Sequence, residues 1–199
     1  RATKAREGEN PARWRGNLEK VLAKPSKVRR VQHHRALPWR EIGAFMAELE
    51  KHRGMGALAL RFTILTAARS GEVRGATWAE IDLHAHEWAM PPERMKAGRP
   101  HRVPLSGAAA DVLRKVQPLA TGDDDALVFP GGRGGRPLSD MTLTAVLRRM
   151  GRDDLTVHGF RSTFRDWVSE ATSYPGEIAE AALAHTIRNA VEAAYRRGD

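Results

Sequence analysis

Cysteine is missing from the sequence altogether, which excludes disulfides, zinc ribbons and thiol catalysis. No apolar run approaches the roughly 18 residues that a membrane span needs, and no apolar segment follows the basic N-terminus to make a signal peptide. Three adjacent acids, Asp123 to Asp125, lack the alternating spacing of a calcium loop, so we interpret them as a solvated turn. We therefore expect an intracellular domain that uses neither a thiol nor a metal.

What the sequence has in excess is positive charge. Lysine and arginine number 33 against 24 acidic residues, which gives a net charge of +9 at pH 7. Such a balance favours a polyanionic partner, nucleic acid first. The 199 residues, 41% of them hydrophobic, suit one sizeable domain or one domain with a remnant of another. Because the chain starts at Arg1 rather than Met, we expect it to be a fragment of a longer protein.

The first part of the chain divides into a basic segment and a helical one. Residues 1–36 are irregular and are interpreted as the end of a preceding domain plus a linker, with a second domain over 37–199. Apolar spacing predicts an amphipathic helix over 39–52. After a break at the glycines of 54–56, a nearly all-apolar stretch predicts a buried helix over 57–68.

A short helix capped by Ser70 and a small β region are predicted next. Three short extended segments are separated by proline and glycine: 87–91, 94–96 and 101–105. They predict a small antiparallel sheet with Lys96 at a hairpin. The prolines place this sheet at an edge of the fold rather than in its core.

The rest of the chain is predicted to be helical. We expect one helix over 107–116, one beginning at a Ser139 cap, one beginning at a Thr156 cap, and two short ones over 176–184 and 188–197. The fold class is therefore mainly α with a small antiparallel three-stranded β-sheet.

The last third of the chain carries the candidate chemistry. With Thr156 as N-cap, His158 and Arg161 share one face at the start of a helix, where backbone N–H groups already favour an anion. His185 and Tyr195 follow on short helical segments. The set predicts a phosphate pocket with a nearby tyrosine, and so phosphoryl transfer without a metal.

Taken singly, each of these residues has an ordinary structural explanation. Arg69 ends a buried helix, and a salt bridge with Glu72 would satisfy its charge. Lys96 could be a solvated charge on an edge strand. The two histidines could be helix caps and the tyrosine a core residue.

Together, five motifs resemble one protein family. In order they are L-T-A-A-R-S-G-E-V at 65–73, R-M-K-A-G-R-P-H-R-V-P-L-S at 94–106, H-G-F-R at 158–161, L-A-H at 183–185 and A-Y-R-R-G at 194–198. Their order and spacing resemble the catalytic domain of the tyrosine recombinases, and most of all the integrases of phages and genomic islands. The resemblance runs from about Leu37 to the end of the chain. The N-P-A-R-W-R-G segment at 10–16 resembles the tail of that family's core-binding domain.

The resemblance implies a division of labour. Tyr195 would attack the scissile phosphate, giving a 3′-phosphotyrosyl link and a free 5′-hydroxyl, and Lys96 would protonate the leaving 5′-oxygen. Arg69 and Arg161 would clamp the non-bridging oxygens, to which His185 would add a hydrogen bond. Guanidiniums suit this role because they offer fixed donors to a charge that spreads in the transition state.

The remaining roles follow from the same resemblance. His158 would serve as acid and base around the tyrosine, whose phenol has a pKa near about 10 and needs such help. Glu72 would support the first arginine. The covalent link stores the phosphodiester energy, so no cofactor or metal is expected. Ser162 stands where relatives often carry a histidine, and Tyr174 matches no nucleophile motif.

The implied partner is double-stranded DNA at attachment sites, with no membrane involved. Candidate DNA contacts are six arginines: Arg74, Arg99, Arg102, Arg148, Arg149 and Arg165. The resemblance implies a tetramer on DNA for the full-length protein, a candidate monomer for this fragment, and a cytoplasmic location at the bacterial nucleoid.

Two other functions stay open at this point. One is an inactive DNA-binding or architectural module, and the other is a type IB topoisomerase-like enzyme with the same chemistry and little sequence preference. A metal-dependent histidine nuclease is disfavoured because the chain has no H-E-x-x-H motif and no alternating acids.

Overall fold

The computed structural model describes residues 10–22, 35–119, 123–132 and 135–185. The chain forms two compact units, residues 1–33 and 34–199. In the described part of the first, a helical turn at Trp14–Leu18 leads into Glu19–Val21, and no side chain there is buried.

The second unit is mostly helical. A 3-10 turn at Trp39–Glu41 precedes its first helix. Among the described residues its helices are α1 Ile42–Lys51, α2 Met55–Thr66, α3 Ser70–Arg74, α4 Gly107–Val116, α5 Thr142–Arg149, α6 Gly159–Ala171 and α7 Gly176–Ala182. The mainly helical prediction with a small sheet is confirmed. No helix in the described part of the chain is long and apolar enough to cross a membrane.

The sheet has three antiparallel strands in the order β1–β2–β3: Ile81–Asp82, Glu87–Met90 and His101–Pro104. The prediction of a strand at 94–96 was wrong, and Ile81–Asp82 is the third strand instead. Pro91 and Pro92 lie just beyond β2 and turn the chain into a 3-10 helix, Pro92–Arg94, because they lack an N–H for pairing. Lys96 does lie in the turn between β2 and β3.

The sheet belongs to the core, contrary to the expectation of an edge position. Trp88 pairs with Val103, and both point to the buried side with Met90. The prolines do not prevent this, because Pro104 is the last residue of its strand. The Trp88 ring packs 5.3 Å from Phe62 of α2, measured between ring centroids. One face of the sheet therefore covers the central helix.

Helix α2 begins two residues earlier and ends two residues earlier than predicted. Gly54 precedes it with a φ of 101°, and Gly56 lies inside its first turn. A Cβ on Gly56 would lie 2.9 Å from Cγ2 of Thr142, so this glycine permits close packing on α5 rather than breaking the helix. The helix ends where Ala67 takes a left-handed φ of 50°. That turn directs the next residues towards the candidate site.

Two predicted caps were wrong. Ser70 is the first residue of α3, whose preceding residue Arg69 is held by the carboxylate of Glu72. Ser139 lies three residues before α5 and makes no side-chain cap, although its carbonyl accepts the N–H of Thr142 at 3.1 Å.

Helix α6 begins at Gly159, two residues later than the predicted Thr156 cap implies. The Thr156 hydroxyl accepts the N–H of Gly159 at 3.0 Å, and His158 is the residue just before the helix rather than within it. Of the last two predicted helices, α7 is present and 188–197 lies outside the described residues.

Candidate active site

Arg161, the third residue of α6, is buried, and its guanidinium joins two helix ends. Its Nη1 donates to the carbonyl of Ala67 at 2.5 Å, and its Nη2 donates to the carbonyl of Leu183 at 2.6 Å. These residues follow the last turns of α2 and α7, where carbonyls lack helical partners and carry partial negative charge. A buried cation is therefore stabilised at the point where three helices meet.

The surroundings of Arg161 disfavour its positive charge. Its pKa is lowered to about 10, by burial first and by the Arg69 cation second, while Glu72 and Glu180 oppose the shift. The group is still charged at pH 7. Its Nε is buried and has no hydrogen-bond partner within the described part of the chain. An anion placed between the two guanidiniums would relieve their repulsion.

Arg69 is the second fixed cation, held chiefly by Glu72. The backbone N–H of Arg69 donates to Oε2 of Glu72 at 2.7 Å, and its Nη1 donates to Oε1 at 2.8 Å. Its Nη2 reaches the carbonyl of Ala184 at 3.4 Å. The simple salt bridge considered from the sequence is present, and the same contacts hold this guanidinium at a cavity edge.

His185 lies between Arg161 and a carboxylate that the sequence reasoning missed. Its Nε2 is 3.2 Å from Nη2 of Arg161, which can only donate, so Nε2 accepts and Nδ1 carries the proton. Nδ1 is 2.6 Å from Oε2 of Glu180, whose other oxygen is 2.8 Å from Nε of Arg165. The hydrogen bond from His185 is the largest cause of a lowered pKa at Glu180. The signal in the sequence was an acid in the helix that ends just before the histidine.

A second residue that sequence reasoning missed is His101, at the start of β3. Burial lowers its pKa, and the charges of Arg69 and Arg161 lower it further, against a backbone hydrogen bond with Ala182 and the charge of Glu72. A neutral imidazole therefore lies beside the two arginines. Its place in the H-R-V-P-L strand gave no sign of this, because the neighbours come from α3, α6 and α7.

An open cavity of about 1240 Å³ brings several candidates together. Its lining includes Arg69, Lys96, Arg165, Tyr174 and His185. Lys96 is exposed, as expected of a side chain carried on a turn. Tyr174, which matches no nucleophile motif, is also exposed and lines this cavity.

A smaller cavity of about 260 Å³ collects the remaining candidates of α6. Its lining includes His158, Arg161, Ser162, Glu180 and His185. His185, Glu180 and Arg165 line both cavities. Every predicted catalytic residue thus borders one of the two cavities, except Tyr195, which lies outside the described residues.

The glycine of the H-G-F-R motif has a packing reason. A Cβ on Gly159 would lie 2.1 Å from the carbonyl oxygen of Arg35, so only glycine lets the 35–37 segment lie across the start of α6. Thr163 donates its hydroxyl to the carbonyl of Leu37 at 2.6 Å in the same place. This packing fixes the helix that carries Arg161.

The six candidate DNA-contacting arginines fall into three groups. Arg165 is exposed beside both cavities, and Arg74 is half-buried and donates to the carbonyl of Leu138 at 2.8 Å. The others are exposed: Arg99, Arg102, Arg148 and Arg149. An internal partner makes Arg74 the least suited of the six to contact DNA.

Sequence comparison identifies relatives for this arrangement. The chain matches the phage integrase family over residues 35–199. It is 39% identical to prophage integrase IntA of Escherichia coli K12 over 68% of this chain and 33% of the relative. It is 33% identical to the integrase of Enterobacteria phage P4 over 83% of this chain and 42% of the relative. The chain thus spans well under half of the length of either relative.

Solved structures share the fold at low sequence identity. XerA recombinase superposes with a TM-score of 0.62 at 14% identity, over 83% of this chain and 58% of that one. The Tn1549 transposon integrase, in complex with transposon right end DNA, gives 0.61 at 12% identity, over 92% and 66%. A lambda integrase dimer bound to a core site gives 0.58 at 18% identity, over 79% and 60%. From the family match and the identity to the prophage integrases, the chain belongs to the phage integrase family of tyrosine recombinases.

Proposed function

We propose that this chain is the catalytic domain of a site-specific DNA recombinase that integrates or excises a phage or genomic island. One observation carries the proposal: Arg69 and Arg161 are fixed cations at two cavities that share His185 in their linings, and Lys96 lines the larger of the two. Phosphoryl transfer needs such donors, because charge develops on the non-bridging oxygens in the transition state.

In the proposed reaction Tyr195 attacks the scissile phosphorus. The phosphorus–5′-oxygen bond breaks as the tyrosyl–phosphorus bond forms, and the product is a 3′-phosphotyrosyl link. His158 takes the phenolic proton, and Lys96 gives a proton to the leaving 5′-oxygen. Rejoining is the reverse, so one phosphodiester is exchanged for another and no net energy source is consumed.

The clamp roles follow the contacts. Glu72 holds Arg69 through two hydrogen bonds, and the carbonyls of Ala67 and Leu183 hold Arg161. Such pre-oriented donors need little reorganisation when the phosphate arrives. For His185 to complete the clamp, its Nε2 must turn from Arg161 to a phosphate oxygen and carry a proton to donate, while Nδ1 keeps its proton on Glu180.

The finer assignments of partner belong to the same proposal. The substrate is double-stranded DNA at attachment sites, which the net charge of +9 favours, and the reaction takes place at the nucleoid. Residues 1–36 are the end of a core-binding domain with its linker, the full-length protein acts as a tetramer, and the isolated fragment is a monomer. Exposed arginines such as Arg149 and Arg165 contact the phosphate backbone of the DNA.

A suicide substrate tests the proposal. The chain is incubated, in EDTA, with duplex DNA carrying a nick just 3′ of the cleavage position in the attachment site, so that the released fragment diffuses away. We expect a covalent protein–DNA adduct that forms on this duplex and not on a scrambled one. Tight binding without an adduct would support the inactive module instead. Relaxation of plasmids that lack the site would support the topoisomerase-like enzyme.

Lys96→Ala is expected to slow cleavage about 100-fold, the usual scale for losing a general acid. DNA affinity should stay nearly unchanged, because one phosphate contact among several contributes little. The measurement is adduct formation on normal DNA and on DNA with a 5′-bridging sulfur at the cleavage site, since a thiolate leaves without a proton donor. Failure of the sulfur substrate to restore the rate would remove Lys96 from the acid role.

Glu180→Gln is expected to slow cleavage about 10-fold, because the amide cannot hold the Nδ1 proton of His185 as a carboxylate does. The measurement is a double-mutant cycle with His185→Ala. If Glu180 acts through the imidazole, Glu180→Gln should add nothing in the His185→Ala background. An equal further loss there would show that Glu180 acts through Arg165 or through stability.

A further inference from the structure

The turn that carries Lys96 is anchored at one end by a residue with no assigned role, Arg94. This arginine ends the 3-10 helix after β2, two residues before the lysine. Its neighbour Met95 is buried in the core, whereas residues 96–100 are all exposed. The reach of Lys96 is therefore set by where Arg94 and Met95 hold the chain.

Arg94 is bound to a buried carboxylate and to the backbone of α3, the helix that carries Glu72. Its Nη1 donates to both carboxylate oxygens of Glu80, and its Nη2 donates to the carbonyl of Glu72. The Glu80 side chain is only 8% exposed, and it also accepts the indole N–H of Trp88 at 2.9 Å. With these partners satisfied, the pair forms a specific connection rather than a surface contact.

The end of α3 leaves room for the guanidinium of Arg94. Gly75 follows the last residue of α3, and a Cβ there would lie 3.1 Å from Nη2 of Arg94. Its φ of −102° is open to any residue, so the absence of a side chain serves the approach of the guanidinium and not the backbone conformation.

We propose that Arg94 is a positioning residue for Lys96. It ties the base of the turn to Glu72, the residue whose carboxylate holds Arg69. Lys96, which protonates the leaving oxygen, and Arg69, which clamps the phosphate, are thereby both positioned through Glu72. The inference rests on the proposed function, in which Lys96 is the general acid.

The test compares normal DNA with DNA carrying a 5′-bridging sulfur, using Arg94→Gln. Misplacing a general acid should slow cleavage of normal DNA about 30-fold. Cleavage of the sulfur substrate should fall less than about 3-fold, because that leaving group needs no proton. Arg94→Lys should lie between, since a single ammonium cannot take the place of two nitrogens, one on Glu80 and the other on the carbonyl of Glu72.

A matched control is Arg61→Gln. Arg61 is likewise a mostly buried arginine paired with a glutamate, Glu50, at 2.9 Å, and it lines neither of the two cavities. It should slow both substrates alike, if at all. An equal loss on both substrates with Arg94→Gln, measured below its unfolding temperature, would overturn the inference and leave Arg94 a purely structural residue.

Gly75→Ala keeps the inference testable if Arg94→Gln does not fold. The added methyl displaces the guanidinium by a few tenths of an ångström without removing its charge. It should show the same preference for the sulfur substrate, at about 5-fold on normal DNA; an equal effect on both substrates contradicts the proposal. If Lys96→Ala itself is not rescued by sulfur, the proposed acid role fails, and the inference about Arg94 fails with it.

Discussion

Replacing Arg161 by lysine is expected to lower the rate of adduct formation about 1000-fold, the scale on which a fixed transition-state donor is lost. Lysine keeps the charge but cannot donate to Ala67 and Leu183 at once while facing a phosphate. The loss should therefore be nearly as large as in Arg161→Gln.

The same substitution should also weaken the fold. Two buried carbonyls would lose a charged donor, and breaking buried contacts of this kind costs about 3 kcal/mol. Urea denaturation measures the free energy of unfolding. Single-turnover cleavage, at urea concentrations well below the unfolding midpoint, measures the rate of adduct formation. Arg61→Lys serves as the control, because Arg61 of α2 forms an ion pair with Glu50 and lines neither cavity. Retention of a tenth or more of the wild-type rate in Arg161→Lys would contradict the clamp role.

Tyr195→Phe is expected to abolish the covalent adduct while DNA binding stays within about 2-fold, since one hydroxyl is lost among many contacts. The phenolic oxygen is the atom that joins phosphorus, so no residual covalent activity should remain. Adduct formation on the suicide substrate and gel-shift affinity are the two measurements.

Tyr174→Phe provides a matched comparison. Tyr174 is the only other tyrosine of the chain, is 64% exposed, and lines the same cavity as Arg69 and Lys96. We expect this variant to form the adduct. Loss of the adduct in Tyr174→Phe and its persistence in Tyr195→Phe would reverse the assignment. Mass spectrometry of the linked peptide identifies the tyrosine independently.

Much of the fold could be predicted from local patterns. The α4 helix has the bounds that its sequence suggested, because a Ser106 cap and an apolar stripe mark both the start and the buried face. The strand expected at 94–96 failed because Pro91 and Pro92 end the pairing, and the role of Arg94 depends on partners 14 and 22 residues away in sequence. Local pattern carries no information about such partners.

The candidate site shows the same division. The motifs around Arg69, Lys96, Arg161 and His185 identified residue types and order, and with the family match these determine the class of protein. They did not reveal Glu180 or His101, whose significance depends on which side chains lie beside them.

The sequence by itself determined the positive charge, the absence of cysteine, the helical class and the set of candidate catalytic residues. Only the tertiary structure decided which residues from earlier in the chain join those of its last third at the candidate site. Arg161 of α6 is held by the ends of α2 and α7. Arg69, just before α3, and Lys96, in the β2–β3 turn, line one cavity together with His185. The physical reason is that a buried cation must be satisfied by whatever carbonyls packing places beside it, and those lie 94 and 22 residues away along the chain.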